Sequence, residues 1–130
     1  MINNLLTILY VADQTASTQF YSEVLQLHPT LNVPGMTEFT LFDNCKLGLM
    51  PEDGIAKIIT PVTPHPKLAK QIPRCELYMR VKNVKDYVKR AIKHGAISVS
   101  DLNDRDWGEQ VAYVADPDGH ILAFAEKNMF

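Results

Sequence analysis

The chain is short of the residues that usually announce chemistry. It has two cysteines, one tryptophan and six glycines in 130 residues. Cys45 and Cys75 stand far apart and in no CxxC arrangement; they fit a reducing compartment, and their spacing leaves a disulfide open. Cys45 sits beside Lys46, but no histidine is near it in sequence, and Cys75 is expected to open a strand. There is no GxSxG, no phosphate-cradling glycine loop and no paired-carboxylate signature. The four histidines, His28, His65, His94 and His120, form no HxH or HxxxH pair and fall at loops or element ends, as surface or turn histidines do. Among them only His120, near Ala123, invites comparison with a ligand.

A large excess of either charge is missing too: 13 Lys and Arg stand against 15 Asp and Glu. A net charge of −2 argues against nucleic acid as a partner, since phosphate binding wants a basic face. Long hydrophobic runs are absent: "MINNLLTILYVADQ" has no basic leader and breaks at Asp13, so neither a signal peptide nor a membrane span is expected, and cytoplasm is the expected location.

What is present is a repeat. At 130 residues the chain is one compact unit, or two small halves sharing a core, and needs no staple to fold. "LLTILYV" (Leu5 to Val11) predicts a strand; Asp13 then caps a helix over "QTASTQFYSEVLQL", with Phe20 and Val24, Tyr21 and Leu25 at i,i+4 spacing. "ELYMRV" (Glu76 to Val81) predicts a second such strand, and Asn83 caps a helix over "VKDYVKRAIKHG" that Gly95 stops. Lys82, Lys85, Lys89, Arg90 and Lys93 are spaced like that helix's wet face. Next, "EFTLFDNCKLGLM" and "QVAYVADPDGHILAF" each read strand, turn, strand, the second turning on "DPDG". Val11 to Val81 is an offset of 70 and Asp43 to Asp118 one of 75, so a five-residue insertion is expected around "DLNDRDWGE". Weaker strand signals lie at "LHPTLNV" and "AISVSDL". Between the halves, residues 51–73 hold five of eight prolines, a connector with at most a short helical turn at "GIAKII". The organisation is therefore module 1 (1–50), connector (51–74) and module 2 (75–130), each module βαβββ.

A doubled βαβββ unit closing with "DPDGHILAF", together with "YVADQTASTQFYSEVLQL" and "WGEQVAYVADPDGH", resembles the glyoxalase/bleomycin-resistance/dioxygenase superfamily, the vicinal oxygen chelate fold, over nearly the whole chain. The resemblance implies an α+β fold in which tandem modules curl a mixed sheet into a half-barrel around a ligand cleft. It also implies a homodimer. Metal enzymes of the superfamily place His, Glu or Gln at four equivalent points, which fall here on Leu6, Gly48, Glu76 and Ala123. Three of these carry no ligand atom, so no metal is expected, and the pattern is similar to the metal-free bleomycin-resistance-like members. In those, a "WG" segment lies by the drug groove and a basic residue often follows three positions on; here that position is Gln110.

The cleft floor expected from period-two alternation is largely apolar: Leu6 and Ile8, Gly48 and Met50, Tyr78, Ile121 and Ala123, with Glu76 as one buried acid. Gly48 and Ala123 leave room where longer ligands stand in relatives. Trp107 is placed at the entrance in an acidic rim of Asp101, Asp104, Asp106 and Glu109, with Arg105 the local cation. An aromatic face in negative surroundings suits a planar or cationic ligand. The expected function is thus metal-independent binding of a small organic, antibiotic-like molecule by Trp107, Tyr78, Met50 and Glu76. The rival is a lyase, isomerase or dioxygenase using Glu76 as general base, with His120 or a divalent metal assisting. A scaffold module is the third reading.

Overall fold

The computed structural model of the chain describes residues 1–128, so positions 129 and 130 of the expected second module lie outside the described residues. The chain divides into two compact units between Lys70 and Gln71, which assigns most of the proline-rich segment to the first. That unit runs β1 (Leu5–Val11), α1 (Gln14–Leu25), β2 (Leu31–Val33), β3 (Met36–Phe42), β4 (Cys45–Pro51) and α2 (Glu52–Ile59), then a 3-10 turn at Pro66–Ala69. The second runs β5 (Glu76–Arg80), α3 (Val84–Lys93), β6 (Ile97–Asp104), β7 (Glu109–Ala115) and β8 (Ile121–Lys127). Each builds a four-stranded mixed sheet, ordered β1-β4-β3-β2 and β5-β8-β7-β6. In both, the first strand lies parallel to the last and the remaining pairs are antiparallel. The fold is α+β, a βαβββ motif stated twice.

The repeat holds at the level of register. Ile8 pairs with Gly48 and Tyr78 with Ala123, one pair mapping onto the other by the offsets of 70 and 75. Phe39 pairs with Leu47 and Val114 with Leu122, both shifted by 75. The extra residues sit where β2 and β3 close tightly over Pro34 and Gly35, but β6 runs on to Asp104 and needs residues 105–108 to turn.

Local chemistry explains the helices. The Asp13 carboxylate accepts the Ala16 N–H at 3.0 Å, satisfying one orphan donor of α1. Ser17, Phe20, Tyr21, Val24 and Leu25 then form its buried stripe. Phe39, Leu47 and Leu49 meet it from the sheet with at most 1% exposure; trimming any of them to alanine should cost about 2–5 kcal/mol. In α3 the Tyr87 ring packs 5.3 Å from that of Phe124. Asn83 does precede α3, but in left-handed geometry and without a side-chain cap bond, so it acts through backbone conformation. The connector corrects an expectation. Residues 52–59 contain no proline and form the eight-residue helix α2, begun after Pro51 and burying Ile55 and Ala56.

Candidate functional site

Alternation along the first sheet sends Leu9, Val11, Phe39, Leu47 and Leu49 into the core under α1. Leu6, Ile8, Met36 and Gly48 share the opposite face. A Cβ on Gly48 would lie 3.2 Å from Ile8 Cγ1 and 3.4 Å from both Leu6 Cδ1 and Met36 Sδ. The expected room at Gly48 is therefore already taken by its neighbours. Met50, two residues further along β4, is half-buried.

The corresponding face of the second sheet is richer. Val111, Ala123 and Ala125 form a buried patch, and Tyr78 and Tyr113 pack onto it. Ala123 is fully buried, so a ligand on this face would meet the tyrosines instead. Glu76 is exposed, and the acid this face buries is Glu109, at 6% exposure; the expectation of a buried Glu76 is corrected. Glu76 opens β5, where fewer strands flank it, whereas Glu109 lies on a central strand.

Glu109 holds a hydrogen-bonded chain together. Tyr78 donates its hydroxyl proton to Glu109 Oε1 at 2.6 Å, and Arg80 donates from Nε to Oε2 at 2.9 Å and from Nη2 to Oε1 at 3.2 Å. Trp107 Nε1–H donates in turn to Tyr78 Oη at 2.8 Å. Each link is complementary: the phenol accepts from indole and donates to carboxylate. The Tyr78 hydroxyl and then the Arg80 guanidinium hold the Glu109 carboxyl below the ordinary carboxylate range. Burial, and next the bond to Glu109, push the Tyr78 phenol up, so it is a fixed hydroxyl rather than a phenolate base. The Arg80 side chain is 69% exposed and leans over the Tyr78 ring at 5.2 Å.

Trp107 lies in the turn between β6 and β7 and keeps 56% of its surface exposed. Its N–H is spent on Tyr78, so what remains to offer is the π face. Arg105, the local cation, turns inward: its guanidinium donates to the Val111 and Asp101 carbonyls and to Ser100 Oγ, and lies 5.2 Å over Tyr113. It braces the turn through neutral partners. Arg80 is the participant that sequence reasoning missed. The i,i+2 series Glu76, Tyr78, Arg80 is the signal that puts it on this strand face, and packing brings Glu109 to meet it.

The four positions matching metal-ligand points do not fit a divalent ion. Leu6, Gly48 and Ala123 carry no donor atom, and one exposed carboxylate holds such an ion weakly. Among the described residues the compact His/Asp group is Asp116, Asp118 and His120. Asp116 Oδ1 accepts the Asp118 and His120 backbone N–H groups at 3.0 and 2.8 Å, and Oδ2 lies 2.8 Å from His120 Nδ1. The carboxylate is occupied with knitting the "DPDG" turn, which accounts for His120 structurally.

Comparison with known proteins agrees with the doubled βαβββ fold. The sequence profile of the glyoxalase-like domain matches residues 4–128. A protein of Agrobacterium tumefaciens, determined by NMR in solution, is 29% identical, with 98% of this chain and 99% of that one covered at a TM-score of 0.74. A glyoxalase-related enzyme from Fulvimarina pelagi superposes at a TM-score of 0.79 with 20% identity, covering 95% of this chain and 88% of its own. A glyoxalase/bleomycin resistance protein/dioxygenase family enzyme from Burkholderia phytofirmans PsJN gives 0.79 at 13% identity, with 95% and 97% covered. Comparison with curated proteins gives no match. Among the described residues, no helix is long and apolar enough to cross a membrane.

Proposed function

The chain belongs to the glyoxalase-like domain family, and from that premise we propose that it binds a small planar or cationic organic molecule, antibiotic-like in chemistry, without a resident divalent metal. The observation that carries this reading is the pinned, half-exposed indole of Trp107, anchored through Tyr78 to Glu109. A fixed aromatic platform loses little conformational entropy on binding and contributes about 0.5–2 kcal/mol per stacking or cation–π contact. Charge sets the sign of the ligand. Arg80 is paired with Glu109, and the exposed Asp104 and Asp106 flank Trp107 in the chain and favour a cation. Tyr113, packed on the same sheet face as Tyr78, adds apolar surface. Sequestration asks for affinity rather than transition-state machinery, which agrees with the missing ligand atoms at Leu6, Gly48 and Ala123.

The test is fluorescence of the single tryptophan. Titration with a panel of planar cations should give saturable, stoichiometric quenching of Trp107, weakened several-fold by Glu76→Gln. Unchanged emission across the panel would sink the reading. Near-stoichiometric divalent metal in protein purified without chelators would replace it with a metal-dependent lyase, isomerase or dioxygenase using Glu76.

A further inference from the structure

A cleft of about 510 Å³ opens in the first unit between the start of α1 and the β2–β3 hairpin. It lies on the helix side of the sheet, away from the face that carries Leu6, Ile8 and Gly48, and does not depend on the reading of Trp107. Its walls carry the amides of Gln14, Gln19 and Asn32, the hydroxyls of Thr15 and Thr18, and apolar surface from Val33 and Pro34. None of these groups ionises.

The floor is built on an unusual choice. Thr37 is fully buried on a face that otherwise holds hydrocarbon, and its hydroxyl makes three hydrogen bonds. Gln14 Nε2 donates to it at 2.9 Å, and it donates to Asn32 Oδ1 at 3.1 Å. A hydroxyl has one proton, and Asn32 Oδ1 can only accept. The 2.9 Å contact between Thr18 Oγ1 and Thr37 Oγ1 must then carry the Thr18 proton. Gln14 is locked as well, donating to the Val33 carbonyl at 2.8 Å and accepting the Gly35 N–H at 2.9 Å. Every polarity is thereby set. Thr18 Oγ1 is left as an acceptor, and the exposed Asn32, held by its amide oxygen, keeps its NH₂ donors for a partner.

Fixed neutral donors and acceptors side by side, with no charge to answer, match a ligand that is itself neutral and both donates and accepts. An ion would be desolvated there without a counter-charge, whereas a hydroxylated molecule exchanges its water hydrogen bonds for protein ones. Val33 and Pro34 offer apolar contact for its C–H surface. We propose that this cleft is a binding site for a small neutral polyol of the monosaccharide class.

The experiment is a two-dimensional ¹H–¹⁵N NMR titration of the full chain with D-glucose, run in parallel with sodium acetate and ammonium chloride at matched ionic strength. Expected are saturable shifts of the Asn32 side-chain amide and the Gly35 backbone amide by glucose alone, with millimolar affinity. Asn32→Ala should weaken that response at least fivefold. Thr18→Val, which removes the acceptor, serves as the second variant should the first perturb the hairpin. Absence of saturable shifts up to about 100 mM glucose overturns the proposal, since even a weak site with a Kd near 1 mM would be filled. Equal shifts by either salt, or a glucose response unchanged in both folded variants, overturn it too. Quenching of Trp107 by planar cations is read separately, so failure of one assignment leaves the other standing.

Discussion

Replacing Gly119 with alanine should unfold the second unit's last hairpin more effectively than any surface change nearby. Gly119 sits at φ +96, where an L side chain is strained by about 1–3 kcal/mol. Its missing Cβ also faces backbone: an added carbon would lie 2.6 Å from Gln71 Cα and 2.9 Å from Gln71 C. Backbone cannot rotate away as a side-chain tip can, so the segment at Gln71 must lift. Lifting it strains or breaks the bond from Gln71 N to the Asp118 carbonyl at 3.1 Å and that from Gln71 Nε2 to the Pro117 carbonyl at 2.8 Å. Each is worth about 1 kcal/mol net. The terms together predict a loss of about 3–5 kcal/mol, a large share of the roughly 5–15 kcal/mol available to a domain. For a chain of this size that lowers Tm by about 10–20 °C. Urea and thermal denaturation followed by circular dichroism read both quantities. Gly54→Ala is the control: it lies inside α2 with only Pro51 Cβ at 3.9 Å, and should stabilise by about 0.5–1 kcal/mol. A Gly119→Ala protein within about 1 kcal/mol of the parent would refute the reasoning.

Tyr78→Phe removes the hydroxyl that links Trp107 to Glu109; emission anisotropy of Trp107 should fall and planar-cation affinity drop several-fold, and unchanged anisotropy would show the indole is held by something else. Acid should expose Glu109. Its carboxyl is depressed in the native state, so its stabilising contribution is present above the ordinary value of 4.5 and is lost as pH falls below that through the native value. In Glu109→Gln that part of the acid limb should flatten, as read by denaturation midpoints from pH 7 downward. The Cys75 thiol is pushed above 9.0 by burial first and by Asp116 second, against Arg74. Iodoacetamide at pH 8 should therefore alkylate Cys75 more slowly than a free thiol, and an equal rate would count against that environment.

Much of this was legible in the chain because it depends on near neighbours. Strand alternation, the Asp13 cap and the "DPDG" turn are short-range, and the offsets of 70 and 75 survive into the pairing of Ile8 with Gly48 and Tyr78 with Ala123. Proline density misled for residues 52–59 because it was averaged over a segment whose prolines stand at 51, 61, 64, 66 and 73, leaving 52–60 free of them. The identity of the buried acid was not legible. Glu76 and Glu109 are the same residue type in strands, and which one loses water depends on the flanking strands and on Arg80 and Tyr78 arriving from 29 and 31 residues away. The Thr37 network was equally hidden, since nothing in "MTEFTLF" distinguishes a buried hydroxyl from an exposed one.

By itself the sequence determined the α+β duplication, its register, and the lack of donor atoms at Leu6, Gly48 and Ala123, because turn chemistry, side-chain period and residue type are local properties. Only the tertiary structure decided that Glu109 is the buried carboxylate, that Trp107 is tethered and that Gly48 leaves no vacancy. Burial and hydrogen-bond partnership are relations between segments distant in the chain, and they exist only after those segments have packed.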